Sequence, residues 1–232
     1  MNTNNNGYTI IYAIVMVVVV ALMLALVSSG LKEKQTVNAE LDKKKQILSS
    51  LKLDLEGKDA AAIYNELIVK ELVVDESAKI LSEVKGEAFA IDIIKESAKK
   101  IEERKLPVYI AQIESKTKYI IPVRGAGLWG PIWGYVALDD DKNTVYGVFF
   151  SHASETPGLG AEISLPIFQD LFIGKHILND AKEFVSIAVM KAGQKAENME
   201  QIDAIAGGTI TSKGVESMLL NSIGQYKAFL KK

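Results

Sequence analysis

Twenty consecutive residues without a charge, 8–27 (YTIIYAIVMVVVVALMLALV), limit what this chain can become more than any other feature. An α-helix rises 1.5 Å per residue, so a helix of this run covers the roughly 30 Å hydrocarbon core of a bilayer. A buried helix of a soluble protein is ordinarily shorter than this. A signal peptide would find small residues for cleavage at Ser28 and Ser29. Against cleavage, the apolar run exceeds a signal core, and residues 1–7 (MNTNNNG) carry no basic side chain. The expectation is one uncleaved transmembrane anchor over residues 1–31. Lys32, Lys34, Lys43, Lys44 and Lys45 all follow the span, and the positive-inside rule would then leave the remainder in the cytoplasm. That rule orients short loops far better than whole domains.

The chemistry open to the remainder is narrow. A formal net charge of -2 argues against nucleic acid, which needs a basic stripe to displace phosphate counterions. The chain has no cysteine, so disulfides and thiolate-held metal centres are excluded within it. His152 and His176 are its only imidazoles, expected to be structural or exposed. No metal site and no catalytic residue of its own is expected, and redox work would need a borrowed cofactor.

Beyond the anchor, residues 32–56 are charge-rich with Ile47, Leu48, Leu51 and Leu55 at helical spacing, which predicts a helix ended by Gly57. Residues 60–68 and 84–105 also carry helical patterns, with a short apolar break at 71–74. Residues 32–105 therefore read as a helical connecting region. From Pro107 the character changes. Residues 108–115, 118–125, 133–140 and 144–151 are short, β-branched or aromatic, and bounded by Gly, Pro, Asp or Asn. Helical pattern returns at 165–174, a further strand is predicted at 184–189, and a helix closes the chain. Strands adjacent in sequence favour antiparallel pairing, so residues 106–232 are expected to form an α+β domain, an antiparallel sheet packed by helices.

Residues 125–130 spell GAGLWG, a literal G-x-G-x-x-G after a strand-like run. A dinucleotide fingerprint needs its third glycine to open a helix on which a pyrophosphate docks. Here Pro131 and strand-like IWGYVAL follow, so the pattern is rejected as a Rossmann site.

The informative stretch is 203–214, DAIAGGTITSKG. After it Val215, Met218, Leu219, Ser222, Ile223, Tyr226 and Leu230 fall on one face of a helix, for which Thr211 or Ser212 can serve as N-cap. Gly207, Gly208 and Thr209 thus lie where a helix begins. Glycines there permit positive φ, and a helix N-terminus favours a negative group such as phosphate.

Asp203-Ala-Ile-Ala-Gly207-Gly208-Thr209 resembles the flavinylation motif of the FMN-binding domain family, which runs Asp, two variable residues, Ser or Thr, Gly, Ala and an acceptor Ser or Thr. Ala206 and Gly208 depart from that pattern, whereas the aspartate and the acceptor are kept. ETPGLG at 155–160 is similar to the same family's most characteristic string, and Pro157-Gly158 suits the centre of a type II turn. GLWG at 127–130 with GYVALD at 134–139 narrows the resemblance to C subunits of sodium-translocating NADH:quinone reductases. The related G subunits of Rnf electron-transport complexes share the first two motifs and usually lack the Leu-Trp pair.

The resemblance implies an electron-carrier subunit of a membrane respiratory complex, its FMN bound covalently by a phosphoester to Thr209. It implies a flavin transferase that recognises Asp203 and draws FMN from FAD. Gly207, Gly208, Thr211, Ser212, Glu155, Thr156, Gly158 and Leu159 are implied as cofactor-binding. Trp129 and Trp133 read as packing residues. The implied partners are the other membrane subunits, and the implied location is a bacterial inner membrane, crossed once, with the flavin domain in the periplasm, against the lysine count. An Rnf-type G subunit and a membrane-anchored scaffold with a decayed flavin motif stay open as alternatives.

Overall fold

The computed structural model describes residues 5–231, so residues 1–4 of the expected anchor lie outside it. The chain divides into two compact units, Met1–Lys43 and Lys44–Lys232. Helix α1 (Asn6–Ser49) makes up the first unit from Asn6 onward, and its last six residues belong to the second. Among the described residues it is the one helix long and apolar enough to cross a membrane, and none of its most apolar window is buried by protein. It runs without a break through Ser49 and ends there in turns, earlier than the helix to Gly57 that the sequence suggested.

In the second unit, α2 (Ala60–Leu67) starts from Asp59, whose carboxylate accepts the amides of Ala61 and Ala62. It leads into β1 (Ile68–Val74), followed by β2 (Ile80–Ser82), α3 (Glu87–Ala90) and α4 (Ile93–Ser97). Then come β3 (Leu106–Ile113), β4 (Lys116–Ala126), β5 (Pro131–Leu138) and β6 (Val145–His152). A 3-10 turn and α5 (Pro166–Gln169) precede a short pair, β7 (Ala188–Met190) and β8 (Gln201–Asp203). Helix α6 (Thr209–Ile223) and, after one 3-10 turn, α7 (Lys227–Leu230) complete the described chain.

Six strands form one antiparallel sheet in the order β2-β1-β3-β4-β5-β6, and β7 and β8 pair separately in parallel. The four strands expected from residue 108 onward are β3 to β6. The helical reading of 32–105 needs correction: β1 and β2 within it are strands of the main sheet. The apolar stretch at 71–74 is part of β1, which pairs with β3, and the pattern over 84–105 is broken into α3, α4 and a 3-10 turn. The strand expected at 184–189 begins only at Ala188.

Alternation along the strands gives the sheet two apolar faces. Val108, Ile121, Val123, Ile132, Val136, Leu138 and Phe150 pack with Val215, Met218, Leu219 and Ile223 of α6. Every residue of the expected apolar face of this last helix is buried, through Tyr226 and Leu230. Tyr226 also donates its hydroxyl to Pro107 O at 3.0 Å. On the opposite face, Tyr109 and Ala111 alternate with that set, and the end of α1 with α2 and α3 closes over them. Trp133 Nε1 donates to Gln46 Oε1 at 3.1 Å and Tyr109 donates to Ala88 O at 3.3 Å. Burial of both faces is continuous only over Leu72–Val74, Leu106–Tyr109 and Ile120–Val123, and there the sequence reads as unbroken apolar runs.

Close approach of α6 to the sheet needs small residues. A Cβ on Gly214 would run into Ala126 O, and one on Gly125 would lie 2.7 Å from Met218 Cβ. The second and third turns of α6 are thereby pressed against the end of β4.

Candidate functional site

Three segments far apart in sequence meet at one cavity of about 250 Å³, lined by Leu128, Trp129, Glu155, Thr156, Leu159, Gly160, Gly207, Gly208, Thr209, Ile210 and Thr211. The first is the tip of the β4–β5 hairpin, closed by Gly127 N donating to Gly130 O at 2.8 Å. GAGLWG is thus a strand–turn–strand, in agreement with its rejection as a dinucleotide fingerprint.

The second is the loop after β6. Leu159 N donates to Thr156 O at 3.1 Å with Gly158 at φ 75°, so Pro157 and Gly158 occupy the centre of a type II turn, as the sequence suggested. Gly158 N is further tied to Glu162 Oε1 at 3.0 Å.

The third is the entry to α6. Gly207 takes φ 75°, Gly208 is the N-cap and contributes no side chain, and Thr209 is the first helical residue. The opening amides of a helix have no intrahelical acceptor and carry partial positive charge, so this end presents a partial positive charge to the cavity.

Neither Thr211 nor Ser212 caps the helix, contrary to expectation. Both lie inside its first turn, at 2% and 0% exposure, with hydroxyls committed elsewhere. Thr211 donates to Glu155 Oε2 at 2.5 Å, and Ser212 Oγ accepts from Ile205 N at 3.1 Å. The Thr209 hydroxyl has no hydrogen-bond partner among the described residues, and the residue is half-buried at the cavity wall.

Glu155 is 5% exposed and bridges all three segments. Its Oε1 accepts Trp129 N at 2.8 Å, its Oε2 accepts the Thr211 hydroxyl, and its own N donates to His152 Nδ1 at 3.2 Å. Burial by itself would raise the carboxyl pKa. Hydrogen bonds from Thr211, Trp129 N and Gly130 N outweigh it and hold the group below its ordinary range. No Lys or Arg forms an ion pair with it among the described residues.

Of the residues expected at the site, Glu155, Thr156, Leu159, Gly207, Gly208, Thr209 and Thr211 come together in the lining. Gly158 shapes the turn behind it, Ser212 is buried beneath it, and Asp203 is exposed at the end of β8. Leu128, Gly160 and Ile210 were not anticipated. Trp129, expected to be packed, is 66% exposed and lines the cavity, whereas Trp133 is the packed one. An apolar pair at a hairpin tip, where polar residues are usual, was the available signal.

A profile of the FMN-binding domain family matches residues 127–224, the span that contains every segment of this cavity. The C subunit of the Na(+)-translocating NADH-quinone reductase of Pseudomonas aeruginosa is 32% identical over 252 residues, covering 99% of this chain and 96% of that protein. Its Vibrio vulnificus counterpart is 31% identical over 212 residues, covering 85% and 83%. The crystal structure of the C subunit from Parabacteroides distasonis superposes with a TM-score of 0.80 at 46% identity, covering 87% of this chain and 98% of that one. The chain belongs to the family of C subunits of Na(+)-translocating NADH-quinone reductases.

Proposed function

We propose that this chain is the flavin-carrying subunit of a membrane NADH:quinone reductase, with FMN held by a phosphoester on Thr209. The observation that carries the reading is the state of three neighbouring hydroxyls. Thr211 and Ser212 are buried and engaged, while Thr209, at the cavity wall and at the positive end of α6, has no partner among the described residues. A phosphoryl group there would be held by the opening amides of the helix, with Gly207 and Gly208 keeping side chains out of its way.

Leu128, Trp129, Leu159 and Ile210 offer an apolar wall suited to a flat ring. FMN would supply the electron-carrying chemistry that no side chain of this cysteine-free sequence provides. The protein's part is to tether, orient and tune it. Asp203, exposed and six residues before the acceptor, is open to a flavin transferase. We further infer that α1 sits in a bacterial inner membrane beside the other subunits of the complex, with the flavin domain on the periplasmic side.

Thr209→Ala is expected to abolish covalent in-gel flavin fluorescence in a protein that stays folded, and Thr211→Ala to keep it. A flavin-bearing peptide modified at Thr211 or Ser212 would overturn the assignment.

A further inference from the structure

We propose that Glu155 is a positioning residue that sets the flavin's reduction potential, its carboxylate fixed between Trp129 N and Thr211 Oγ1 as one negative charge in the cavity wall. The proposal rests on the covalent-flavin reading of this cavity. A nearly buried charge with no Lys or Arg ion-paired to it is unfavourable unless donors surround it. Here the donors come from two elements, the hairpin backbone at Trp129 and the Thr211 hydroxyl in the first turn of α6.

Space is cleared for it as well. A Cβ on Gly127 would fall on Oε1, and a Cβ on Gly160 would fall on Oε2. If the side chain served only to staple the hairpin to the helix, an amide would do equally well. A glutamine could accept Trp129 N through its oxygen and donate its NH2 to Thr211 Oγ1. What the carboxylate adds over glutamine is charge. Two of the residues that wall this cavity, Glu155 and Thr209, therefore stand in different roles, one carrying charge and one offering attachment. A reduced flavin carries more electron density than an oxidised one, so a fixed negative charge at short range, weakly screened by the protein, opposes reduction.

The test uses the full chain produced with its transferase, and reads the flavin midpoint potential by spectroelectrochemical titration. Glu155→Gln keeps the hydrogen bonds and removes the charge, so the potential should move to more positive values while the flavin stays on Thr209. Thr211→Val leaves the carboxylate and removes a donor that neutralises part of its charge, so the potential should move the other way. Opposite shifts support the proposal. An unchanged potential in a flavin-bearing Glu155→Gln protein overturns it, as does a shift of the same sign in both variants. If Glu155→Gln fails to fold or to load, Thr211→Val decides alone: a negative shift supports the proposal, and no shift or a positive one overturns it. Wild-type protein without covalent flavin at Thr209 would instead refute the attachment reading, which mass spectrometry of the same sample reports separately.

Discussion

Ser212 Oγ accepts the amide of Ile205 at 3.1 Å, closing the chain around Gly207, Gly208 and Thr209 into a loop pinned at both ends. The bond is part-buried, with Ser212 fully enclosed, so its loss leaves an amide short of a partner. Ser212→Ala is expected to cost about 1–2 kcal/mol. That corresponds to a fall of roughly 2–8 °C in thermal midpoint for a chain of this size, read on the full protein in detergent. Covalent flavin should persist, because this hydroxyl is structural. A folded Ser212→Ala protein without flavin would show the opposite.

Gly158 holds φ 75° in open space, so a side chain there meets no atom and still strains the backbone. Gly158→Val should cost on the order of 1 kcal/mol or more. It should also alter the flavin's visible spectrum, because the turn carries Thr156 and Leu159 into the cavity lining. Thr209 should remain modified. An unaltered spectrum would mean that the turn is shaped for folding alone.

Acid sensitivity follows from the depressed Glu155 carboxyl. Its ordinary value is 4.5, and the folded value is lower. The stability it contributes is therefore present above about pH 4.5 and is lost as pH falls through the folded value. Asp141 and Glu200 are depressed too, by hydrogen bonds that outweigh desolvation, so the wild-type curve sums several groups. The difference between wild type and Glu155→Gln isolates one of them. Denaturant unfolding measured across pH 3–7 should show wild type losing more stability than the variant at the acid end. Parallel curves would show that the carboxylate gains nothing from folding.

Membrane orientation can be read with one introduced thiol, because the chain has no cysteine of its own. Asp140 is exposed in the turn after β5, while nearby Asn143 is half-buried and accepts Leu178 N at 2.8 Å. Asp140→Cys should react with a membrane-impermeant thiol reagent in intact cells once the outer membrane is permeabilised. Labelling only after the inner membrane is broken would place the domain in the cytoplasm and favour the lysine count.

The parts that sequence reading recovered are those where one local period decides the outcome. Val215 to Leu230 repeat at helical spacing and pack as one face. β3 to β6 are bounded by turn residues and pair with their neighbours in order. β1 was hidden because Ile68–Val74 follows directly on α2 and its second half, Glu71–Val74, is buried at every position, which erases the alternation that marks a strand. β8 lies in a polar tract and is held by β7 alone. At the site, the acceptor loop was legible from its glycines and threonine. The hairpin wall was not, because Trp129 is tied to Thr211 through Glu155, which stands 26 and 56 positions away from them. The unexpected cap has the same origin. Thr211 prefers a buried carboxylate across the cavity to the amides of its own helix, a choice made by tertiary contact.

The two glycines beside Glu155 make these positions an epistatic unit. Gly160→Ala in the wild-type background brings a methyl against Oε2 and within 2.5 Å of Thr211 Oγ1, and Gly127→Ala brings one within 2.9 Å of Glu155 Cδ. Once Glu155 is shortened, the Gly127 conflict with its carboxyl group vanishes and that at Gly160 eases. Single substitutions should therefore be far from additive, with coupling of roughly 0.5–3 kcal/mol in a double-mutant cycle. A lineage that loses this carboxylate relaxes the constraint at 127 and eases it at 160, where Thr211 Oγ1 still stands, so position 127 should drift before position 160 once glutamate at 155 is replaced.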